Sequence, residues 1–397
     1  MKRYVGTVVR GIRTPVVRQG DAIEEMVVAS VLQAAEAEKF SIRDRDIVGI
    51  TESVVARAQG NYATADAIAT DLKAKFNGDC LGVVFPILSR NRYAIILKGI
   101  ARSAKHIVLQ FSYPCDEVGN QLMAPDLIDK NNVNPWTDTF SEAQFKQLFG
   151  QCCHPFTGID YIAYYQSLVE GEKAECTIIF SNQPKTILSY TKKVLACDVH
   201  TRERTKRQLI AAGAEIVYSL AEILSAPVNG SGYNPEYGLL GSNKATEETV
   251  KLFPRNCQPV VDRIQQIFKS KTGKMVEVLI YGDGAFKDPV GKIWELADPV
   301  VSPAYTVGLK GTPNELKLKY LADNQFADLT GLALEEAIAK QIRNKKENLV
   351  GSMESQGTTP RRLTDLIGSL CDLTSGSGDK GTPVVHIQGY FDSFASE

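Results

Sequence analysis

The period of hydrophobic and polar positions changes repeatedly along the chain, and each change predicts an element. Tyr4–Val9 alternates as a strand does, and Gly11-Ile12-Arg13-Thr14-Pro15 reads as a turn. From Gly20-Asp21 to about Glu38, Ile23, Met26, Val27, Val31 and Leu32 fall near helical spacing. Asp46–Ser53 (DIVGITES) is a buried strand ending in polar residues, and VVARAQGN follows with Arg57 and a Gly60-Asn61 turn. Helices are predicted over 66–75 and 93–101, and strands over 81–88 and 106–111. The middle, 121–243, differs: helices near 141–149 and 160–167 precede a βαβ rhythm, with strands at 176–180, 194–199 and 215–218 around a helix at 202–212. Asn229–Tyr237 reads as a linker. Beyond it, Val260, Val261, Ile264 and Ile267 share one helical side, and Met275–Tyr281 (MVEVLIY) is a strongly buried strand. Helices at 311–324, 332–344 and 360–371 lead to Val384–Gln388, an alternating β-branched strand.

With 397 residues the chain has room for two or three domains. Its 44% hydrophobic and 23% charged content is that of an ordinary soluble globular protein. A net charge of −1 gives no reason to expect nucleic acid or an anionic membrane as partner. No apolar run approaches the ~20 residues that span a bilayer, and the N-terminus lacks the apolar core of a secretory signal. The eight cysteines are scattered without a CxxC pair, which fits reduced thiols in a cytoplasmic protein. Cys152-Cys153-His154 is a poor chelator, because vicinal cysteines bind metal badly, and His154, His200 and His386 read as structural.

Chemistry concentrates in three stretches that follow or precede strands. Thr374–Gly389 (TSGSGDKGTPVVHIQG) is a glycine-rich loop running into a strand. Gly376, Gly378 and Gly381 allow positive φ and leave backbone N–H groups exposed, a concave anion site to which Lys380 adds charge and Ser375 and Ser377 add hydroxyls. The same stretch also reads as a solvated hairpin connection. Asp116, Glu117 and Asn120 cluster after the strand at 106–111, where oxygen ligands suit Mg²⁺ or Mn²⁺; alternatively, Asp116 caps a turn. Asp283 sits between two glycines after Met275–Tyr281, placed to reach a metal or to make an Asp-Gly turn. Two carboxylates and a cradle of N–H groups are what a nucleotide–metal site requires, while the Walker pattern GxxxxGK[ST] is absent. Asp198 stands at a strand end, as a ribose-binding acid does. Without GxGxxG, that region reads as scaffold or partner surface.

These stretches resemble the γ-glutamyl ligases that act on coenzyme F420 precursors. GIRTPVVRQGDAIEEMV is similar to the family's first turn and helix. DIVGITESVVARAQG resembles its strand ending in a serine/threonine pair and a basic residue, with Arg57 where lysine is usual. SYPCDEVGN resembles NAGxDxSN, one residue longer, and EVLIYGDGAF resembles the strand ending in TDT, with Gly284 for the last threonine. LTDLIGSLCDLTSGSGDKGTPVVHIQG resembles the closing helix, loop and strand, with Ser377 where the family has glutamine. The resemblance implies an α+β fold of mixed α/β sheets, formed by 1–120 with 244–397, and an inserted Rossmann-like βαβ subdomain at 121–243. It implies a GTP-dependent ligase joining L-glutamate to a carboxylate acceptor such as coenzyme F420-0 through an acyl phosphate, in a cytoplasmic homodimer. Asp116, Asp283 and Ser377 would hold Mg²⁺ or Mn²⁺. Gly11, Ile12, Arg13, Thr14, Thr51, Ser53, Asn120, Ser375, Gly376, Gly378, Asp379 and Gly381 would hold the nucleotide, and Lys380 and Arg57 would stabilise the transferring phosphoryl group. The altered positions and the insert also admit a nucleotide- or phosphometabolite-binding protein without ligase activity, or a ligase for another acceptor such as a folate.

Overall fold

The computed structural model describes residues 4–154, 157–282, 285–287, 294–296, 302–355, 362–375 and 379–396. It is an α+β protein of mixed sheets. The chain divides into two compact units, one drawn from 1–55, 256–285 and 296–397, the other from 56–255 and 286–295.

The first unit is built on a five-stranded sheet in the order Val8–Ile12, Val384–Gln388, Ile47–Thr51, Glu277–Tyr281, Ala304–Tyr305. Ile47–Thr51 and Glu277–Tyr281 run parallel, and the other neighbours are antiparallel. Both parallel strands are near-continuous apolar runs because both faces of the sheet are covered. On one face the helix Leu363–Ser375 lies close, since Gly49 has no side chain: a Cβ there would run into Cys371 Sγ. Ile367 and Cys371 from that helix join Ile47, Leu279, Val385 and Ile387 in the core. The first strand lies at Val8–Ile12 rather than Tyr4–Val9, because pairing with Val384–Gln388 fixes its register. Over 311–324 the structure has only the turn Leu318–Tyr320 followed by a π-type turn, Leu321–Gln325.

His386 is fully buried at the centre of the strand Val384–Gln388. Its Nε2 lies 3.0 Å from Asp46 Oδ2, and its Nδ1 is 3.5 Å from the Arg10 guanidinium. Arginine can only donate, so Nδ1 accepts and Nε2–H donates to Asp46. Gln388 Nε2 donates to the same carboxylate at 3.1 Å, and the Phe40 ring stacks on the imidazole. This is a satisfied buried cluster, as expected for a structural histidine.

The second unit holds a six-stranded sheet in the order Phe140–Ser141, Glu175–Phe180, His106–Phe111, Cys80–Val84, Lys193–Ala196, Ile216–Ser219. All neighbours are parallel except the Phe140–Ser141 edge. Counted from Cys80–Val84, the parallel strands follow the 3-2-1-4-5 order of a doubly wound sheet. The Rossmann-like rhythm is therefore real, but it does not begin at 121. The strands at Cys80–Val84 and His106–Phe111 are its centre, and the anticipated boundaries at 120 and 243 fall inside the unit. The physical reason is burial: Leu81, Val83, Val84 and Ile107–Leu109 are sealed on both sides and need strand neighbours on both edges. The stretch at 229–237 is pinned rather than free. Gly232 N–H donates to Tyr62 O at 2.7 Å, and buried Asn234 donates to the carbonyls of Phe253 and Pro254.

Candidate functional site

In the first unit, chain segments distant in sequence converge at one edge of the five-stranded sheet. Thr51 ends its strand beside Tyr281, its parallel partner in register. Thr51 N–H donates to Pro383 O at 3.0 Å, and Thr14 N–H donates to Gly381 O at 3.3 Å. Gly11 and Ile12 pair with Val385 and Val384. Gly11 packs against Thr382 so closely that a Cβ would stand 3.2 Å from its side chain. Ser375, 4% exposed, ends the closing helix and shares a 2.7 Å hydrogen bond between its Oγ and Tyr281 Oη. Thr382 Oγ1 then donates to Ser375 O at 3.2 Å, closing the loop base. The Ser375 hydroxyl thus faces inward and anchors the loop. Asp379, Lys380 and Gly381 are exposed, with Gly381 at φ +66°, and so is Arg13. Gly376, Ser377, Gly378 and Asp283 lie outside the described residues. Sequence reasoning missed Tyr281, which ties the strand before Asp283 to the loop. A phenol at the end of an otherwise apolar strand was the available signal, since a buried hydroxyl needs a partner.

The structure does not group Asp116, Asn120 or Arg57 with these residues in one unit. Ser53 is half-buried in the first turn of the helix Glu52–Ala58, and Arg57 is exposed in its last turn. Asp116 is 4% exposed and closes its own loop. Its Oδ1 accepts from Asn120 N–H at 2.8 Å. Its Oδ2 accepts from Leu88 N–H and from Asn120 Nδ2, both at 2.9 Å. Burial is the largest influence on this carboxyl and pushes its pKa up to about 6, against the pull of these donors. Through these bonds the carboxylate and the Asn120 amide together close the turn at 116–120.

Glu117 shows the same self-sufficiency. Its carboxylate accepts from the N–H groups of Val199, His200 and Thr201 at 2.6, 3.0 and 2.7 Å, just before the helix Arg202–Ala211. Asp198 is 1% exposed, and its Oδ2 accepts from the hydroxyls of Thr201 and Thr205, both at 2.7 Å, bracing this helix start, while its Oδ1 has no hydrogen-bond partner among the described residues. Burial raises its pKa as well. Among the described residues no group of three or more His, Cys, Asp or Glu side chains could hold a metal ion, so these residues alone do not form a cation cage. All eight cysteines are free thiols, and no helix among the described residues is long and apolar enough to cross a membrane.

The family model described as F420-0:Gamma-glutamyl ligase matches residues 11–389, nearly the whole chain, and the chain belongs to that family. No curated protein matches it.

Proposed function

We propose that this member of the γ-glutamyl ligase family is a GTP-dependent enzyme that joins L-glutamate to coenzyme F420-0. The observation that supports this reading is the convergence at one sheet edge of Gly11–Thr14, Thr51, Tyr281 and the loop end Asp379–Gly381, with Lys380 exposed there. An acceptor carboxylate oxygen bonds to the γ-phosphorus of GTP while the bond to the bridging oxygen breaks and GDP leaves. The glutamate amine then attacks the acyl carbon, phosphate departs, and the amine gives up one proton. Lys380 and the N–H groups at the loop end stabilise charge on the phosphoryl oxygens. Arg13, exposed on the neighbouring turn, offers a second cation. Tyr281 and Ser375 position the loop, and no side chain has to act as the nucleophile. Asp283, two residues past Tyr281, is the carboxylate we assign to the Mg²⁺ or Mn²⁺ that GTP carries, which offsets the triphosphate charge when bound. A cytoplasmic homodimer belongs to the same proposal, its state read by sedimentation.

The test is to incubate the full chain with GTP, Mg²⁺ or Mn²⁺, L-glutamate and F420-0. The expected outcome is one GDP and one phosphate per amide formed, with ATP a poorer donor. A second reading, a nucleotide- or phosphometabolite-binding protein without turnover, draws support from the self-satisfied Asp116 and from Gly284 and Ser377. Tight GTP binding with no product from F420-0 or a folate would favour it.

A further inference from the structure

The first unit also contains a cleft of about 500 Å³ at the other end of its central strands. The strand Val384–Gln388 starts at the glycine loop and ends at the cleft, roughly 13 Å away at ~3.3 Å per residue. Tyr390, Phe391 and Phe394 form an aromatic wall, and Arg45 and Lys345 supply positive charge. The family match stops at residue 389, so this wall lies beyond what membership covers.

Three features give the cleft a chemical preference. Its size falls in the range of small-molecule sites, about 300–1,000 Å³. Phe394 is 51% exposed, an aromatic surface left uncovered beside Tyr390 and Phe391. The Arg45 guanidinium lies 3.9 Å from the Phe391 ring centroid, and among the described residues its N–H groups meet no hydrogen-bond or ion-pair partner. A planar guanidinium already stacked on a ring keeps its fork free for a bidentate oxyanion. Arg45 also sits at φ +64°, its N–H held by Met275 O at 2.7 Å. The next residue is Asp46, locked to His386 and Gln388, so the cation and the aromatic wall are both borne on the fixed end of the sheet. The Lys345 ammonium is anchored on the Asn314 carbonyl. Glu315 and Asp392 also line the cleft, and the pKa of Tyr390 is raised first by burial and then by the Glu315 charge.

We infer that this cleft is a second ligand site, separate from the phosphoryl-transfer edge, that takes a planar aromatic carboxylate: the ring rests against Phe391 and Phe394 and the carboxylate is held by Arg45. The probe is 2-naphthoate, with 2-naphthylmethylamine as its cationic counterpart, titrated into the full chain by calorimetry. The expected result is saturable binding of one naphthoate per chain and no saturable binding of the amine. Arg45→Gln should weaken naphthoate at least tenfold and Phe394→Ser severalfold, with GTP binding and the thermal midpoint unchanged in both. Phe394→Ser alters an exposed side chain and keeps the test valid if Arg45→Gln fails to fold. Absence of saturable naphthoate binding, equal binding of the amine, or indifference to both substitutions overturns the inference. None of these outcomes bears on ligase turnover, which is assayed separately.

Discussion

Both units end parallel strands in polar loops, yet they treat those loops in opposite ways. In the doubly wound unit two strand-end carboxylates are taken up by the chain's own donors, while Asp198 Oδ1 is buried without a hydrogen-bond partner among the described residues. Glu117 fills the N–H groups at 199–201, and Asp116 is consumed by Leu88 and Asn120. In the five-stranded unit the loop base is equally well tied, through Tyr281, Ser375 and Thr382, but the charged residues are left exposed. A nest of N–H groups occupied by the chain's own carboxylate is scaffold. A tied base presenting an uncommitted lysine is where a ligand's charge can be met.

The largest expected effect tests the exposed side. Lys380→Ala should lower glutamate-dependent phosphate release by ~10³-fold, about 4 kcal/mol of transition-state stabilisation, with no change in thermal midpoint. A rate within threefold of the parent would remove the loop from the chemistry.

The second tests Asp116. Its pKa is raised in the fold, from an ordinary 3.8 to about 6, so its contribution to stability is complete below pH 3.8 and lost as pH rises through 6. Relative to Asp116→Asn, the parent should lose at most about 3 kcal/mol between pH 4 and 7, as read by denaturant unfolding. The opposite slope in the presence of Mg²⁺ would mean that the carboxylate faces a cation after all.

The smallest concerns Glu117. Glu117→Ala strands three N–H groups and should cost about 2 kcal/mol of stability, with Glu117→Gln between the two because an amide offers one acceptor oxygen. If glutamate-dependent turnover fell along with stability, the division between scaffold and site would be drawn in the wrong place.

Much of the local structure was legible. The strand Val384–Gln388 was placed to the residue by its β-branched alternation, and the closing helix, expected at 360–371, is found at Leu363–Ser375. With only four histidines and no nucleophile–base pattern, His386 could be read as structural, and it is. The unit boundary was not legible. Parallel strands pair across long crossovers, so nothing local to Cys80–Val84 announces that its partners are His106–Phe111 and Lys193–Ala196. The fate of Glu117 was hidden for the same reason, its partners lying more than 80 residues on. Ser375 was singled out as a nucleotide contact, but its bond to Tyr281 escaped notice because it spans 94 positions and a lone tyrosine at a strand end looks ordinary.

The close seat of Cys371 over Gly49 has a practical consequence. This thiol is sealed from water, and burial pushes its pKa far above the ordinary range, so an alkylating reagent finds neither access nor thiolate while the closing helix is seated. Modification of Cys371 therefore clocks the lifting of that helix. The native chain carries its own reporter of how often the floor beneath the glycine loop gives way.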